Sequence, residues 1–395
     1  MPPRLMHVDL DAFFVEVCRQ RNPELRGVDL LVVGGRRDSR SVVQSASYGA
    51  RKFGVRAGMP IARAVALCPA ATFFAGEFAW YRDASQQVRA ILEQFSPTVV
   101  MSGLDEGYLD FAGTERLYPV SLLPVAESIR TTVHEAAGLD ASIGIGPNRM
   151  VAKLASDAAK PRGVLEVRTG WEEGFLAGLP LRAMPGVGPS TASRLATVGL
   201  VDVWQVQRLT EAQLAHLIGT EEARPLKLRA HGWGGTVLRG NRPARSVSRE
   251  TTFGRDVRDP DELETMLLLF VTRVSAQLRD AHLMARTITL KLRHDDFTTV
   301  TRSATLREAT DLDRDLFEAV RPLFHAAYQE VRQRNRGVRL IGVSATNLTQ
   351  ASAPDLFESP EREKLRQLSR AVDQVRERFG DRAVGPAGIL GLRKT

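Results

Sequence analysis

The sequence predicts an α+β protein with more than one domain. Strand-length apolar runs alternate with amphipathic helical stretches in the first 168 residues, and the alternation starts again after residue 244. Between these regions, residues 171–233 show the pattern of short helices only. A chain of 395 residues is long for one domain, so two to four domains are expected.

The first region is expected to hold two strand-helix-strand halves around one sheet, an α+β arrangement of ferredoxin-like type. Its predicted strands cover residues 5–8, 30–33, 41–43, 98–101, 107–111 and 141–145. Its predicted helices cover residues 46–53, 60–67 and 78–95, a stretch through Val125 and Val133 that ends at Gly138, and a stretch capped by Asn148.

The region after residue 244 follows a β-α-β-β-α-β order and is expected to be an independent α+β domain. One helix begins at Pro260, another contains Pro322, and a last helix opens at Pro360. Residues 234–244, rich in glycine and basic side chains, are expected to be a linker. The predicted strands cover residues 246–252, 285–293, 297–304 and 339–348.

Composition and charge narrow the class of protein. The chain is 43% hydrophobic, and its formal net charge of +8 indicates a polyanionic partner such as nucleic acid or an anionic membrane. Simple solubility is the alternative explanation of that charge. The two cysteines, Cys18 and Cys68, stand in no metal-binding or redox spacing and fit a reducing compartment. With no signal-peptide pattern and no apolar run long enough for a bilayer, a cytoplasmic protein without membrane contact is expected.

Three carboxylates are the candidate centre of the chemistry. Asp9 ends the first predicted strand, and Asp105 and Glu106 stand together at the junction of two others. Carboxylate oxygens are ligands that Mg²⁺ prefers, and two such ions about 4 Å apart stabilise both the attacking and the leaving oxygen in phosphoryl transfer. An isolated Asp-Glu pair is usually a surface turn, but the apolar residues that flank this pair argue against that alternative.

Two features predict contact with a nucleic-acid backbone. The turn Gly186-Val187-Gly188 between two helical stretches forms a helix-hairpin-helix pattern whose amides can bind a phosphate, although such a turn alone is weak evidence. Basic residues also recur through the second α+β region, where a solvated basic face explains any single one of them better than it explains all. These residues are Arg239, Arg242, Arg245, Arg249, Arg286, Lys291, Arg293, Arg302, Arg332, Arg334, Arg336 and Arg339.

Four sequence blocks together resemble the Y-family DNA polymerases, the error-prone, lesion-bypass class. The blocks occur in family order with family spacing, and the similarity covers about residues 4–348. They are VDLDAFF at residues 8–14, SYGARKFGVR at residues 47–56, LDEGYLD at residues 104–110, and AKLASD at residues 152–157 followed by Lys160-Pro161.

This resemblance implies a right-hand polymerase with a ferredoxin-like palm, small fingers, a helical helix-hairpin-helix thumb and a separate α+β little finger. The little finger of the family lays a sheet against DNA and contacts its backbone. The expected boundaries are residues 1–10 and 76–168 for the palm, 11–75 for the fingers, 169–233 for the thumb, 234–244 for a linker, 245–348 for the little finger and 349–395 for a C-terminal tail with a helix.

The resemblance also implies how the carboxylates act. Asp9 and Asp105 would bridge two Mg²⁺ ions, for which Mn²⁺ can substitute. Glu106 would bind the metal nearer the primer end, and the Leu10 carbonyl would complete the metal on the nucleotide side.

The incoming nucleotide has its own expected contacts. Tyr48, Arg51 and Lys160 match positions that hold the triphosphate, and a phenol, a guanidinium and an ammonium are suitable donors for it. Phe14 matches the steric gate that lies under the sugar and excludes a 2′-hydroxyl, with Phe13 beside it. Since adjacent aromatic residues often belong to the core, a purely structural role for at least one of them is expected.

Four positions depart from the family pattern. Gly49 and Val100 stand where glutamate is usual, Gly103 stands where serine is usual, and Gln44 stands where a small residue roofs the nascent base pair. None of them is an expected metal ligand, so the departures bear on nucleotide closure and on the range of lesions.

The implied function is template-directed, low-fidelity DNA synthesis across lesions by a monomer, with primer-template DNA and dNTP as partners. The sequence shows no second set of carboxylates for a proofreading exonuclease. A non-catalytic scaffold at stalled forks is the alternative, but such a relative should have lost a metal carboxylate. Leu356 and Phe357 in the tail match part of a peptide that binds the replication sliding clamp in relatives, and docking onto the little finger is the alternative for them.

Overall fold

The chain divides into two units, Met1–Gly240 and Asn241–Thr395. The computed structural model describes residues 4–238, 244–351, 360–380 and 383–385. The α+β class that the sequence predicts is confirmed, since each unit has its own sheet and its own hydrophobic core.

The first unit mixes short strands with helices. Its strands are β1 (Leu5–Leu10), β2 (Leu31–Val33), β3 (Ser45–Ala46), β4 (Thr72–Phe74), β5 (Val99–Met101), β6 (Glu106–Asp110), β7 (Ala141–Gly146) and β8 (Val164–Glu166). Its helices are α1 (Phe13–Arg21), α2 (Tyr48–Lys52), α3 (Ile61–Leu67), α4 (Phe78–Leu92), α5 (Leu123–Ala137), α6 (Arg149–Ala159), α7 (Glu172–Ala177), α8 (Pro189–Thr197), α9 (Val203–Arg208), α10 (Glu211–Ile218) and α11 (Thr220–Ala230).

A five-stranded sheet with the order β5-β6-β1-β7-β8 forms the centre of the first unit. Strand β1 lies in the middle, antiparallel to both β6 and β7, and is buried along its whole length. Because side chains alternate along a strand, Met6 and Val8 enter the core with α1, α4 and α5, while His7 and Asp9 point to the opposite face, toward α6. The end of β1 therefore delivers Asp9 to one edge of the sheet.

A three-stranded sheet with the order β3-β2-β4 shares a smaller core with α2 and α3. The prediction of a strand at residues 41–43 is wrong, because β3 is the strand that pairs with β2, and Val42 makes only an isolated bridge with Pro60. Val42 is 51% exposed and only Val43 is buried. Val42 and Val43 therefore look like part of a strand in the sequence, but they do not pair with β2 as a strand would.

Helices α7 to α11 share a separate hydrophobic core, as the helical pattern of residues 171–233 predicts. Helix α10 begins at a capping box in which Thr210 and Gln213 satisfy each other's backbone amides. In the turn before α8, Gly186 has a φ of 87°, a left-handed conformation that glycine adopts without strain, and Gly188 is the N-cap of α8. The turn is thus built as a helix-hairpin-helix pattern requires.

The second unit follows the predicted β-α-β-β-α-β order and adds a C-terminal helix. Its sheet has the order β11-β10-β12-β9, and α12 and α13 cover one face with a common core. Asp259 caps α12 through the amide of Asp261, and Pro322 lies inside α13, as the sequence predicts. The elements are β9 (Ser246–Val257), α12 (Pro260–Asp280), β10 (Leu283–His294), β11 (Thr299–Thr310), α13 (Asp313–Gln333), β12 (Val338–Gln350) and α14 (Pro360–Phe379).

The C-terminal helix α14 docks onto the second unit through ion pairs rather than through buried apolar residues. The Arg279 side chain, at the end of α12, is only 8% exposed and donates to Asp373 of α14 at 2.6 Å and to Asp313 of α13 at 2.8 Å. Arg362 of α14 also bonds Asp315 at 2.9 Å.

Within the described ranges, no helix is both long and apolar enough to cross a lipid bilayer.

Candidate active site

The sheet brings the three carboxylates to one edge. Asp9, at the end of β1, stands opposite Glu106 in the antiparallel register, and the Leu10 amide donates to the Asp105 carbonyl at 2.8 Å. The chain turns sharply before β6, since the Ser102 amide donates to the Glu106 carbonyl at 3.0 Å. The strand junction that the sequence predicts is therefore a tight turn that carries Asp105 and Glu106 to the end of β1.

Two lysines from the α6 region neutralise this edge. Lys160 Nζ lies 2.8 Å from Asp9 Oδ2 and 3.2 Å from Asp157 Oδ1. Lys153 donates to Glu106 Oε2. Lys160 was expected to contact a triphosphate, whereas the role of Lys153 was not anticipated, although it stands in the AKLASD block. Each lysine therefore forms an ion pair with one carboxylate of the edge.

His7 is a further polar group that the sequence analysis missed. It is fully buried, with Nδ1 at 2.7 Å from Ser156 Oγ and Nε2 at 3.5 Å from Glu106 Oε2. Contact with His7, together with Lys153, lowers the pKa of Glu106 to about 2. The only sequence signal for this role is a polar residue within the apolar run of β1.

The pKa values of the other two carboxylates shift in the opposite direction. Burial raises the pKa of Asp9 above its usual range although Lys160 opposes the rise. Burial also raises the pKa of Asp105, and the neighbouring Glu106 carboxylate adds to that rise. A cation placed between such carboxylates would reverse the shift, so the edge is electrostatically suited to one.

The carboxylates are not gathered around one point. In the part of the chain that the structure describes, no group of three or more His, Cys, Asp or Glu side chains is arranged to hold a metal ion. The physical reason is that Glu106 turns to Lys153 and Asp9 turns to Lys160. The expected ligand set of Asp9, Asp105 and Glu106 shares an edge of the sheet, but the side chains of Asp9 and Glu106 are directed to ammonium groups.

Tyr48 and Arg51, two expected triphosphate contacts, stand together on α2. The Arg51 guanidinium lies 4.8 Å from the centre of the Tyr48 ring, and Arg51 Nε donates to the Ala46 carbonyl at 2.9 Å. The Tyr48 hydroxyl donates to Asp11 Oδ1 at 2.8 Å. Burial and this hydrogen bond raise the pKa of Tyr48, so its phenol stays protonated.

The two adjacent phenylalanines have different environments. Phe13 is 1% exposed and belongs to the core, as expected for at least one of the pair, and its contact with the nucleotide stays a prediction. Phe14 is half-buried, with its ring edge-to-face on Tyr81 at a centroid distance of 4.6 Å. Tyr81 is itself fully buried and bonds Cys18 Sγ at 3.1 Å, which gives the Phe14 ring a fixed support. Phe14 remains the candidate steric gate.

Two departures from the family pattern have local physical reasons. A Cβ on Gly49 would lie 2.6 Å from Asp29 Oδ1, so the Asp29 carboxylate fills the space that a side chain at position 49 would need. A Cβ on Gly103 would come within 3.2 Å of Asp105 Oδ1. A serine at position 103 would therefore crowd the Asp105 carboxylate.

The expected DNA contacts of the second unit divide between the two faces of its sheet. Lys291 and Arg293 alternate with the buried Leu290 and Leu292 and lie on the face opposite to α12 and α13. Arg302 shares the register position of Leu290 and bonds Glu330 of α13 at 3.0 Å, so it belongs to the helical side. The sheet therefore does not present all its basic residues to one partner.

The remaining expected DNA contacts lie on edges and loops. Arg249 pairs in register with Val343 on the helical side, and Arg245 and Arg286 are exposed. Arg336 pairs with Asp295 at 3.4 Å, and the Arg339 guanidinium lies 4.4 Å from the centre of the Phe297 ring. Arg239, Arg242, Leu356 and Phe357 lie outside the described residues.

Comparison with known proteins agrees with this architecture. Models of the impB/mucB/samB family and of its C-terminal domain match residues 8–157 and 244–356. A protein of Dehalococcoides mccartyi (strain CBDB1) named DNA polymerase IV is 37% identical over 377 residues, 95% of either chain. The protein of that name from Desulfatibacillum aliphaticivorans is 36% identical over 390 residues, 98% of this chain and 96% of its own.

Solved structures show the same fold. A chimera of the Y-family DNA polymerases Dbh and Dpo4 superposes with a TM-score of 0.75 at 24% sequence identity, covering 88% of this chain and 99% of its own. The fold and the carboxylate edge define a protein of the Y-family polymerase class, which confirms the resemblance of the four sequence blocks. By its two matching family models and its relatives, the chain belongs to the impB/mucB/samB family.

Proposed function

We propose that this chain is a DNA-directed DNA polymerase that extends a primer across damaged template with low fidelity and without proofreading. The observation that carries the proposal is the edge of the central sheet, where Asp9, Asp105 and Glu106 meet Lys153 and Lys160. Primer extension with the four dNTPs and Mg²⁺, on undamaged templates and on templates with one defined lesion, tests it. The absence of any extension would contradict it.

The residues at this edge fit a pair of divalent metal ions. Carboxylates and the Leu10 carbonyl are hard oxygen donors, and burial at this partly dehydrated edge raises the pKa values of Asp9 and Asp105. Bound there, Mg²⁺ would lower the pKa of the primer hydroxyl and stabilise charge on the transferring phosphate. Mn²⁺ has the same preference for oxygen and is expected to substitute.

The protein's own groups prepare the site for the nucleotide. The ammonium groups of Lys153 and Lys160 balance the carboxylates, and we infer that Lys160 leaves Asp9 for the triphosphate when the nucleotide enters. Tyr48 and Arg51 stand on α2 as further donors to the phosphates. Phe14, whose ring packs on Tyr81, would lie under the sugar.

Replacing Arg51 or Lys160 with alanine is expected to weaken dNTP binding more than DNA binding. Loss of one charge-assisted contact of about 1.5–3 kcal/mol should raise the dNTP KM roughly tenfold to hundredfold. Single-nucleotide extension gives the dNTP KM, and fluorescence anisotropy gives the Kd of the primer-template. Equal losses on both quantities would instead place these residues in the DNA channel.

DNA affinity should fall steeply with salt and show little sequence preference, because the contacts are to phosphates. The sheet allows a matched pair of variants. Arg293→Ala should lower the slope of log Kd against log salt by about one, while Arg302→Ala, whose guanidinium is occupied by Glu330, should leave it near wild type. The opposite order, or a Kd insensitive to salt, would contradict the use of this sheet face.

The expected partners are primer-template DNA and dNTP, and a cytoplasmic monomer fits them. A scaffold without catalysis is less well supported, because the three carboxylates are kept at the edge of the sheet. Contact with a sliding clamp through Leu356 and Phe357 stays a prediction. The domain boundaries expected from the family also stay a prediction, although the division of the chain at Gly240 falls within the expected linker.

A further inference from the structure

Asp11 is a buried carboxylate that the proposed chemistry does not use. It is 4% exposed and lies in the turn that connects β1 to α1. A buried carboxylate is stable only when donors surround it. Its Oδ1 accepts from the Tyr48 hydroxyl at 2.8 Å, and its Oδ2 accepts from Ser142 Oγ at 2.9 Å and from the Arg162 amide at 2.8 Å.

These three donors come from segments that are distant in sequence. Tyr48 opens α2, which also carries Arg51, and Ser142 belongs to β7 of the central sheet. The Arg162 amide lies two residues beyond Lys160, just after α6. Asp11 therefore connects the helix that bears two expected triphosphate contacts with the segment that bears the third, through one point on the sheet.

We propose that Asp11 is a positioning residue for nucleotide binding. Its carboxylate holds the Tyr48 hydroxyl and the backbone beside Lys160, so α2 with Arg51 and the Lys160 segment are in place before the nucleotide arrives. The Tyr48 hydroxyl has a single proton, which it gives to Asp11 in the free protein and would give to a phosphate oxygen when the nucleotide enters. A site ordered in advance does not lose binding free energy to the ordering of its own side chains. The inference rests on the proposed roles of Tyr48 and Lys160.

The geometry argues against a direct role of Asp11 as a metal ligand. Both carboxylate oxygens already accept hydrogen bonds, and protein donors take three of the roughly four acceptor positions of the carboxylate. Asp9, two residues earlier, points instead to Lys160 at 2.8 Å. Asp11 thus acts on the nucleotide through Tyr48 and the Lys160 segment, and its loss should affect binding rather than the chemical step.

The variant Asp11→Asn tests this role with little change in volume. Its amide oxygen can keep the donors from Ser142 and Arg162, while its NH₂ group faces Tyr48 and can no longer accept. The dNTP KM should rise about tenfold, with kcat within about twofold and DNA Kd unchanged. Asp110→Asn, at the far end of β6 from Glu106, is the matched control and should change none of the three.

A double-mutant cycle with Tyr48→Phe distinguishes an effect of Asp11 through Tyr48 from an effect of Asp11 on the stability of the fold. Each single change should raise the dNTP KM, and the double variant should cost no more than the larger of the two, because both break the same link. Amide exchange in α2 should quicken in both single variants. Since Tyr48→Phe keeps Asp11 and its other two donors, the test does not depend on how well Asp11→Asn folds.

Three results would overturn the inference. Multiplicative KM costs in the double variant would mean that Asp11 and Tyr48 act independently, and a fall in kcat at unchanged KM would mean that Asp11 acts on Asp9. A wild-type dNTP KM in Tyr48→Phe would remove the assigned triphosphate contact and this inference with it, while polymerase activity stands. If the wild-type chain extends no primer, the proposed function fails as well.

Discussion

Replacing Asp105 with alanine is expected to slow nucleotide addition by about a thousandfold or more while binding of the DNA duplex stays near wild type. Asp105 lies in the tight turn beside Leu10, at the edge where the carboxylates meet. Removing it would take away negative charge that is expected to balance the metal ions, without changing the basic residues that are expected to contact phosphates. Single-turnover extension with Mg²⁺ measures the rate, and anisotropy measures duplex binding.

Asp110→Asn is the control for this experiment. It changes an aspartate at the other end of β6, where the side chain accepts from the Ala112 amide at 2.8 Å. Its extension rate should stay within about twofold of wild type. If Asp105→Ala extends primers at the wild-type rate in Mg²⁺, the assignment of the carboxylate edge as the catalytic centre is wrong.

Replacing Phe14 with alanine should raise the use of ribonucleotides relative to deoxyribonucleotides by roughly tenfold to hundredfold. The expected cause is relief of a steric conflict with the 2′-hydroxyl, since overpacking of this kind costs about 1–3 kcal/mol. The half-buried Phe14 ring on the rigid Tyr81 cannot retreat from an added hydroxyl. The measurement is the ratio of kcat/KM for rNTP to that for dNTP.

The adjacent Phe13 provides a matched control. Phe13→Leu alters a core residue that is 1% exposed, so it should lower thermal stability and leave the nucleotide ratio unchanged. Tyr81→Phe, which removes only the bond to Cys18, should have a small effect in the direction of Phe14→Ala. A ratio that moves with Phe13 and stays constant with Phe14 would reverse the assignment of the gate.

Much of the fold was predictable because local signals and apolar periodicity agreed. Asn148 accepts from the Val151 amide as the N-cap of α6, and Gly138 ends α5 in the left-handed conformation. Helix α1 was missed because its N-cap is Ala12, a left-handed residue with no capping side chain. Strands β4 and β8 were missed because three residues are too few to show a period.

The candidate site was predictable where it depends on strand ends and not where it depends on contacts between distant segments. Asp9 and Glu106 follow from the sequence because each marks the end of an apolar strand. The pairing of Lys153 with Glu106 joins residues 47 positions apart, and no local pattern specifies it. The same limit applies to Phe13 and Phe14, since the burial of each depends on the unpredicted start of α1.

The attachment of α14 depends on a small number of side chains. This helix buries none of its own residues against the second unit, and its best-shielded contact is the bond from Arg279 to Asp373 at 2.6 Å. Its other ion pairs, such as those of Arg362 with Glu308 and Asp315, are more exposed.

This kind of attachment separates the stability of α14 from that of the sheet below it. If Arg279 released Asp373, it would keep Asp313 and the Asp311 carbonyl, so the ends of α12 and α13 would stay joined. Helix α14 would then depend on exposed ion pairs, which salt screens, while the apolar core between the sheet, α12 and α13 is insensitive to salt. The helix can therefore leave a unit that stays folded.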